Sequence, residues 1–168
     1  MAIVKATYTR SRKAAKASVR YIAHRPGQDG RRTARAIYGI DGRLEKKDAY
    51  TMIDKAGKGV AFFRVVISPD PRGEDRFSDL HLLGITAQTM ITLEEQLGKE
   101  VPFIAVEHND HALHRHVHVI ACVEGRLTRG DLQALRRSAT EAALAQRQER
   151  DLARQARALA IEEAQWAY

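Results

Sequence analysis

The sequence lacks the features that mark secreted or membrane-inserted proteins. It contains one cysteine, Cys122, so no disulfide framework can form within the chain, which is typical of proteins in reducing compartments. No apolar run approaches the roughly 20 residues needed to cross a bilayer, and residues 1–5 lack the long apolar stretch of a secretory signal. We therefore expect a cytoplasmic protein without membrane insertion, whose 168 residues suffice for one domain with a core.

Acidic residues are scarce at the beginning of the chain. Residues 1–40 contain ten of the 28 lysines and arginines but only one acid, Asp29, and the whole chain carries a net charge of +7. Such a run is either a solvated basic face or a surface that binds a polyanion, because neutralising phosphates releases condensed counterions. Charge alone does not distinguish DNA from RNA or from an acidic lipid surface.

The periodicity of apolar residues, together with residues that begin or end helices and strands, predicts a mixture of strands and helices. Alternation over residues 2–8 predicts a strand with Tyr8 on its core side, and Ser11 is placed to cap a helix that runs to about His24. A hairpin over residues 36–44 and a short helix over 46–56 follow. The apolar run Val60–Ser68, ended by Pro69, predicts a central buried strand.

The second half of the chain continues in the same way. A helix is expected from Ser78 to Gly98, then two strands over residues 102–108 and 115–123, and a long helix that begins at Thr128 or Asp131. The order contains no regular βαβ repeat, and the last two strands adjoin as a hairpin. The pattern therefore favours an α+β fold with a mostly antiparallel central sheet flanked by helices.

The densest chemical signal is a histidine cluster. Five of the seven histidines fall within residues 108–118, and the strand period of two places His116 and His118 on one face together with Ile120 and Cys122. A hairpin register that sets His108 opposite His116 would bring three imidazoles together, and three neutral imidazoles with open positions are typical of a catalytic metal site. The alternatives are a pair of partly buried strand histidines, or a histidine-rich loop that binds metal only adventitiously. His111 and His114 are expected to be loop residues, and Asp110 could accept a hydrogen bond that orients an imidazole.

These residues resemble the motif of the HUH endonucleases, and specifically of the mobilisation relaxases of conjugative and mobilisable plasmids. The motif is carried by His108-Asn109-Asp110 and by the run from His116 to Ile120. Residues 64–70 resemble the central strand of that family, and residues 21–27 resemble its tyrosine motif near the N-terminus. The resemblance covers residues 1–145 as a nuclease domain and leaves residues 146–168 as a helical extension of the same domain.

The resemblance implies site-specific nicking and rejoining of single-stranded DNA at a transfer origin, with accessory relaxosome proteins as possible partners. A tyrosine attacks the phosphodiester and forms a 5′-phosphotyrosine. Because phenols have a pKa near 10, a nearby cation must stabilise the phenolate or the pentacovalent charge, so one divalent metal is expected. The family is associated with Mg or Mn, whereas imidazole ligands alone suit Zn, Ni or Co.

Tyr21 is the predicted nucleophile because it is the tyrosine within the matched motif. Its alternative is an aromatic side chain packed against the core, and Tyr38 and Tyr50 lie outside the motif. The cationic residues around Tyr21 are predicted to bind DNA phosphates: Arg12, Lys13, Lys16, Arg20, His24 and Arg25.

Two other functions remain open at this point. A rolling-circle replication initiator or a transposase could use the same histidine site, although such proteins usually place the tyrosine after the histidines. A non-catalytic DNA-binding accessory protein would use the basic segment to bind DNA but would not cleave it. A plain zinc hydrolase is less favoured, since the chain contains no HExxH motif.

Overall fold

The computed structural model describes residues 1–110 and 114–167. Within these ranges the chain forms an α+β fold, in which a six-stranded antiparallel sheet is flanked by four helices. The strands lie in the order β1-β4-β6-β5-β2-β3. The predicted fold class is therefore confirmed. The strands and helices, in chain order, are β1 (Ile3–Thr9), α1 (Arg12–His24), β2 (Ile37–Gly39), β3 (Gly42–Leu44), α2 (Lys46–Lys55), β4 (Val60–Ser68), α3 (Leu82–Leu97), β5 (Phe103–His108), β6 (His116–Glu124) and α4 (Arg129–Trp166).

Local capping explains where the helices begin and end. The Ser11 side chain accepts a hydrogen bond from the amide of Ala14, as expected of an N-cap. Thr128 and Asp131 form a reciprocal capping box at the start of α4. Gly98 ends α3 with φ of 65°, a left-handed conformation that glycine adopts without steric cost. These three boundaries agree with the sequence prediction.

Two expectations were wrong. Helix α3 begins at Leu82 rather than at Ser78, because Asp75 accepts a hydrogen bond from the amide of Leu80 and holds the preceding segment in turns. Tyr8 lies on the predicted strand face beside Phe63, with ring centroids 5.3 Å apart, yet 58% of it is exposed. β1 is an edge strand, and the core cluster that buries Val4 does not extend to Tyr8, so the phenol ring stays outside the core.

The sheet separates two hydrophobic clusters. One face, which includes Val65, Val119 and Ala121, packs against α3 and α4. The opposite face, which includes Phe62, Ile104 and Ile120, is covered by α1 and α2. The sheet therefore lies between two helical layers, and its second face carries both the basic helix α1 and the even-numbered side chains of β6.

Helix α4 continues without a break through residue 145, the predicted end of the nuclease domain. Arg147, just beyond that point, is buried and pairs with Asp79 and Asp151. From Leu152 onwards the helix is almost wholly exposed. Within the described residues, no helix combines the length and apolar character needed to cross a bilayer.

Candidate metal centre and basic groove

The hairpin of β5 and β6 assembles the three predicted ligands. His108 is the Cα partner of His116, and Val106 is the partner of His118, so the three imidazoles project from the same face at one end of the hairpin. Ring centroids lie 5.2 Å apart for His108 and His116, 4.7 Å for His108 and His118, and 4.9 Å for His116 and His118. The register predicted from the strand period is confirmed.

The ring nitrogens of this histidine cluster are arranged as a ligand set. One nitrogen from each of His108, His116 and His118 can be chosen so that all three lie within 4.8 Å of one another. Nδ1 of His108 and both ring nitrogens of His118 are buried and have no hydrogen-bond partner among the described residues. Buried polar atoms without partners cost about 1–3 kcal/mol each. A cation held by the cluster would satisfy Nδ1 of His108 and one ring nitrogen of His118, so the residues present fit a metal.

The hydrogen bonds of two imidazoles determine which nitrogen is free. His108 Nε2 donates to the backbone carbonyl of Ile22 at 2.8 Å, which leaves the lone pair on Nδ1 directed into the cluster. His116 Nδ1 lies 3.1 Å from the carbonyl oxygen of His114. Because a carbonyl oxygen can only accept a hydrogen bond, Nδ1 is the protonated nitrogen and Nε2 is available to bind a metal. Such backbone acceptors fix the tautomer and orientation of metal-bound histidines.

Burial keeps two of the three imidazoles neutral. Burial lowers the pKa of His108 to about 4, despite the opposing effect of its hydrogen bond to Ile22. The pKa of His118 is lowered to about 3, chiefly by burial. The other two imidazoles and the charges of Arg64 and Arg25 act in the same direction. Both imidazoles are therefore unprotonated near pH 7, the form that binds metals.

Tyr21 lies on the outer side of α1 and precedes Ile22, whose carbonyl is bonded to His108. Ala15, Val19 and Ile22 of the same helix are buried against the sheet, whereas 53% of Tyr21 is exposed, so it is not a core residue. The guanidinium carbon of Arg25 lies 5.8 Å from the centre of its ring. The hydrogen bond between His108 and the carbonyl of Ile22 places the turn that bears Tyr21 at the end of α1 that meets the histidine cluster.

A basic groove follows the outer face of α1. Its wider part, about 770 Å³, contains Tyr21 and is lined by Ala17, Arg20, Tyr21, His24, Arg25, Pro26, Arg32 and Lys46. A second part of about 430 Å³ shares Ala17 and Arg20 with it and adds Lys13, Lys16 and Tyr50. The two parts form a continuous positively charged track that is suited to a phosphate backbone.

The six predicted phosphate-binding residues do not all point into open solvent. Arg12 donates to the carbonyls of Ile53 and Ala56 at the end of α2, at 3.3 and 2.6 Å. Lys16 pairs with Asp54 at 2.6 Å. These two side chains join α1 to α2, although Lys16 also lines the groove together with Lys13, Arg20, His24 and Arg25.

Asp110 differs from its predicted role. Both of its carboxylate oxygens accept hydrogen bonds from Arg35, and no hydrogen bond joins it to an imidazole among the described residues. Burial would raise its pKa, but the hydrogen bonds and charge of Arg35 hold the pKa below the usual value. His114 is an exposed loop residue as predicted, and His111 lies outside the described residues.

Sequence reasoning missed four cationic residues of this region. Arg32 and Lys46 line the groove, Arg35 holds Asp110, and Arg64 is exposed on the sheet face that carries the cluster. Arg64 could have been found, because the strand period of two places it with Phe62 on that face, diagonal to His118 across the β4–β6 ladder. No local pattern distinguishes Arg35 from the other arginines around it.

Comparison with known proteins adds no identification. No protein-family model matches the chain, and no curated protein or solved structure shows significant similarity to it.

Proposed function

We propose that this protein is a metal-dependent relaxase that nicks and rejoins single-stranded DNA, with Tyr21 as nucleophile and His108, His116 and His118 as ligands of one divalent metal. One observation carries the proposal: the helical turn that bears Tyr21 is bonded to the histidine cluster through Ile22 and His108. A tyrosine within a cationic groove, on a helix turn bonded to a cluster of three imidazoles that could bind a metal, offers the groups needed for phosphodiester transesterification.

The proposed reaction exchanges one ester for another. The phenol oxygen of Tyr21 loses its proton to solvent and attacks the phosphorus atom, so a phosphorus–oxygen bond to tyrosine forms. The bond to the 3′ oxygen breaks, and that oxygen takes up a proton to become a free 3′-hydroxyl. Because the phosphotyrosine remains a diester, the reverse reaction can rejoin the strand without an external energy source.

Charge near Tyr21 supports this chemistry. Arg25 contacts its ring, and Arg20 and Arg32 line the same groove, so several guanidinium groups are placed to bind the phosphates that flank the scissile bond. A divalent cation, when bound, would draw charge from the phosphate oxygens and stabilise the developing negative charge. The choice of Mg or Mn follows the family resemblance, whereas an all-imidazole ligand set equally suits Zn, Ni or Co.

The biological setting follows from the resemblance alone. The resemblance of the segments around Tyr21 and His108 to relaxase motifs implies a reaction at a plasmid transfer origin, in the cytoplasm, with accessory relaxosome proteins as partners. A replication initiator or transposase would perform the same nicking chemistry on another element. A non-catalytic accessory protein would bind the strand without forming a covalent bond.

The experiment that tests the proposal is a search for a covalent adduct between the protein and single-stranded oligonucleotides from transfer-origin regions, with added Mg²⁺ or Mn²⁺. We expect an adduct whose tryptic peptide carries the oligonucleotide on Tyr21, and a joined product when excess 3′-hydroxyl strand is added. Tyr21→Phe retains the ring and should fold and bind DNA, but cleavage should fall by orders of magnitude, on the order of 10³-fold or more.

Tyr50→Phe is the matched control, because Tyr50 lies in the same groove but outside the matched motif. Its cleavage should stay close to that of the wild type. An adduct on Tyr38 or Tyr50 would refute the assignment of Tyr21. Cleaved strands without any adduct would show direct hydrolysis, and binding without cleavage under every metal tested would favour the accessory protein.

A further inference from the structure

The last turn of α1 is held from outside the helix. The final carbonyl groups of a helix have no partner within it and must find one elsewhere. The carbonyl of Ile22 accepts from His108 Nε2 at 2.8 Å, and the carbonyl of Ala23 accepts from the amide of Arg35 at 2.9 Å. The carbonyl of Arg25 accepts from Nη1 of Arg35 at 2.7 Å. Arg35 therefore supplies two of these three hydrogen bonds.

The same guanidinium also binds Asp110, just after the end of β5. Nη2 of Arg35 donates to both carboxylate oxygens of Asp110 at 2.9 Å, and Nε donates to Oδ1 at 3.3 Å. The Arg35 side chain is only 7% exposed, whereas the Asp110 side chain is 34% exposed, so the guanidinium is the buried partner of the pair. Asp110 stands two residues after His108. One buried side chain thus joins the end of the tyrosine helix to the strand that carries a candidate ligand.

The geometry of this interaction requires arginine. A guanidinium presents several donors in one rigid plane, so it can hold a carboxylate with two parallel bonds and still donate to a carbonyl at its other edge. A lysine in the same place offers a single ammonium at the end of a flexible stem. The positive charge also lies at the C-terminal end of α1, where the helix dipole favours a cation.

We propose that Arg35 is a positioning residue, which together with Asp110 clamps the last turn of α1 and so fixes Tyr21 relative to the three histidines. This inference rests on the proposed nucleophilic role of Tyr21. A displacement of about 1 Å between reacting groups can reduce a rate by about a hundredfold, so a clamp at this point bears directly on the rate of bond formation.

The rest of α1 is attached independently. Arg12 and Lys16 bind the N-terminal half of α1 to α2, through the carbonyls of Ile53 and Ala56 and the carboxylate of Asp54. Removal of the Arg35–Asp110 pair should therefore loosen the C-terminal turn and leave the helix in place. This difference provides a matched control, since Asp54→Asn weakens the other attachment.

The first measurement reports geometry and needs neither metal nor DNA. Nitroxide labels are placed at Arg20→Cys, on exposed α1, and at Glu124→Cys, at the exposed far end of β6, and their distance distribution is recorded by pulsed electron resonance. Cys122 can be retained, because it is buried and burial raises the pKa of its thiol to about 11. We expect Asp110→Asn and Arg35→Lys to broaden the distribution, and Asp54→Asn to leave its width unchanged.

The second measurement reports the reaction. In single-turnover assays, Arg35→Lys and Asp110→Asn should form the tyrosine adduct at least about tenfold more slowly than wild type. Calorimetry should find their metal affinity within about threefold of wild type, because the three histidines are retained. Arg35→Ala is avoided as the main variant, since removing the side chain leaves Asp110 without its partner.

The two measurements separate failure of the clamp from failure of the proposed function. If the wild type forms no adduct, the nuclease proposal is wrong, and the label distances still show whether the clamp exists. An unchanged distance distribution in both Arg35→Lys and Asp110→Asn would overturn the clamp. A broadened distribution with a wild-type adduct rate would overturn its positioning role.

Discussion

His108 Nε2 donates a hydrogen bond of 2.8 Å to the carbonyl of Ile22, 86 residues earlier in the chain. The bond ties the residue after Tyr21 to a candidate metal ligand and, at the same time, selects the tautomer in which Nδ1 of that ligand is free. The helix turn of the proposed nucleophile and the candidate ligand set are thus coupled through one backbone oxygen. A change in the turn that bears Tyr21 should therefore alter the histidine cluster, and a change in the cluster should alter that turn. Several independent experiments can test this coupling.

The ligand assignment predicts the effect of removing one imidazole. His116→Ala should abolish saturable binding of a divalent metal, because two imidazoles remain and neither can take the place of the third. In the wild type, a free metal concentration a hundred times the dissociation constant should stabilise the folded state by about 2.7 kcal/mol, which corresponds to a rise of several degrees in Tm. Isothermal titration calorimetry and thermal unfolding with and without metal measure both effects.

His114→Ala is the control for that experiment. His114 is exposed and contributes only its backbone carbonyl to His116, which the substitution retains. Metal affinity and the metal-induced rise in Tm should match the wild type. Equal metal affinity in His116→Ala and the wild type would show that the histidine cluster is not the metal site.

The basic groove predicts a salt-dependent affinity for single-stranded DNA. Lys13→Gln and Arg20→Gln remove charges that line the groove, and for each phosphate that is no longer neutralised the slope of log affinity against log salt should fall by about 0.7. Fluorescence anisotropy of a labelled oligonucleotide over a series of salt concentrations measures the slope. Arg12→Gln should chiefly lower the free energy of unfolding, because that side chain is occupied by the end of α2.

Arg126→Gln and Arg129→Gln serve as matched charge controls. Both arginines are exposed near the end of β6 that lies farthest from His116. Their slopes should equal that of the wild type. If the groove variants and these controls change the slope equally, binding depends on net charge and not on the groove.

The lowered pKa values of two histidines predict how stability depends on pH in the absence of metal. The pKa of His108 is about 4 and that of His118 about 3 in the folded protein, against 6.5 ordinarily. Between pH 6.5 and these values the unfolded chain binds more protons than the folded one. The free energy of unfolding should therefore be greatest above pH 6.5 and should fall as the pH is lowered towards 4.

Urea unfolding at pH 7.5 and 5.5 tests this sign, because carboxylates titrate mostly below that interval. His118→Asn removes one buried titrating group and should show a smaller loss of stability between the two pH values. His114→Asn, at an exposed position, should lose as much as the wild type. A gain in wild-type stability on acidification would contradict the burial of neutral imidazoles.

Local pattern was enough to predict most of the secondary structure and the grouping of the three histidines. The cap at Ser11, the left-handed Gly98 and the apolar run of β4 act over a few residues, so their structural effects are visible in the sequence. The alternation of β6 placed His116 and His118 on one face, and a short connection brought β5 alongside with His108 opposite His116. The three histidines could therefore be grouped before any tertiary structure was known.

The partners of that group depended on the packing of distant segments. Asp110 and Arg35 are 75 residues apart in the sequence. By residue type alone, each could form an ion pair equally well with other charged residues of the chain. Only the docking of α1 on the sheet brings its last turn to His108, leaves Tyr21 exposed above the groove and confines Arg12 to the end of α2. Such contacts arise because the face of α1 that carries Val19 and Ile22 is buried against the sheet. This packing joins segments that are distant in the sequence, so no short sequence pattern predicts it.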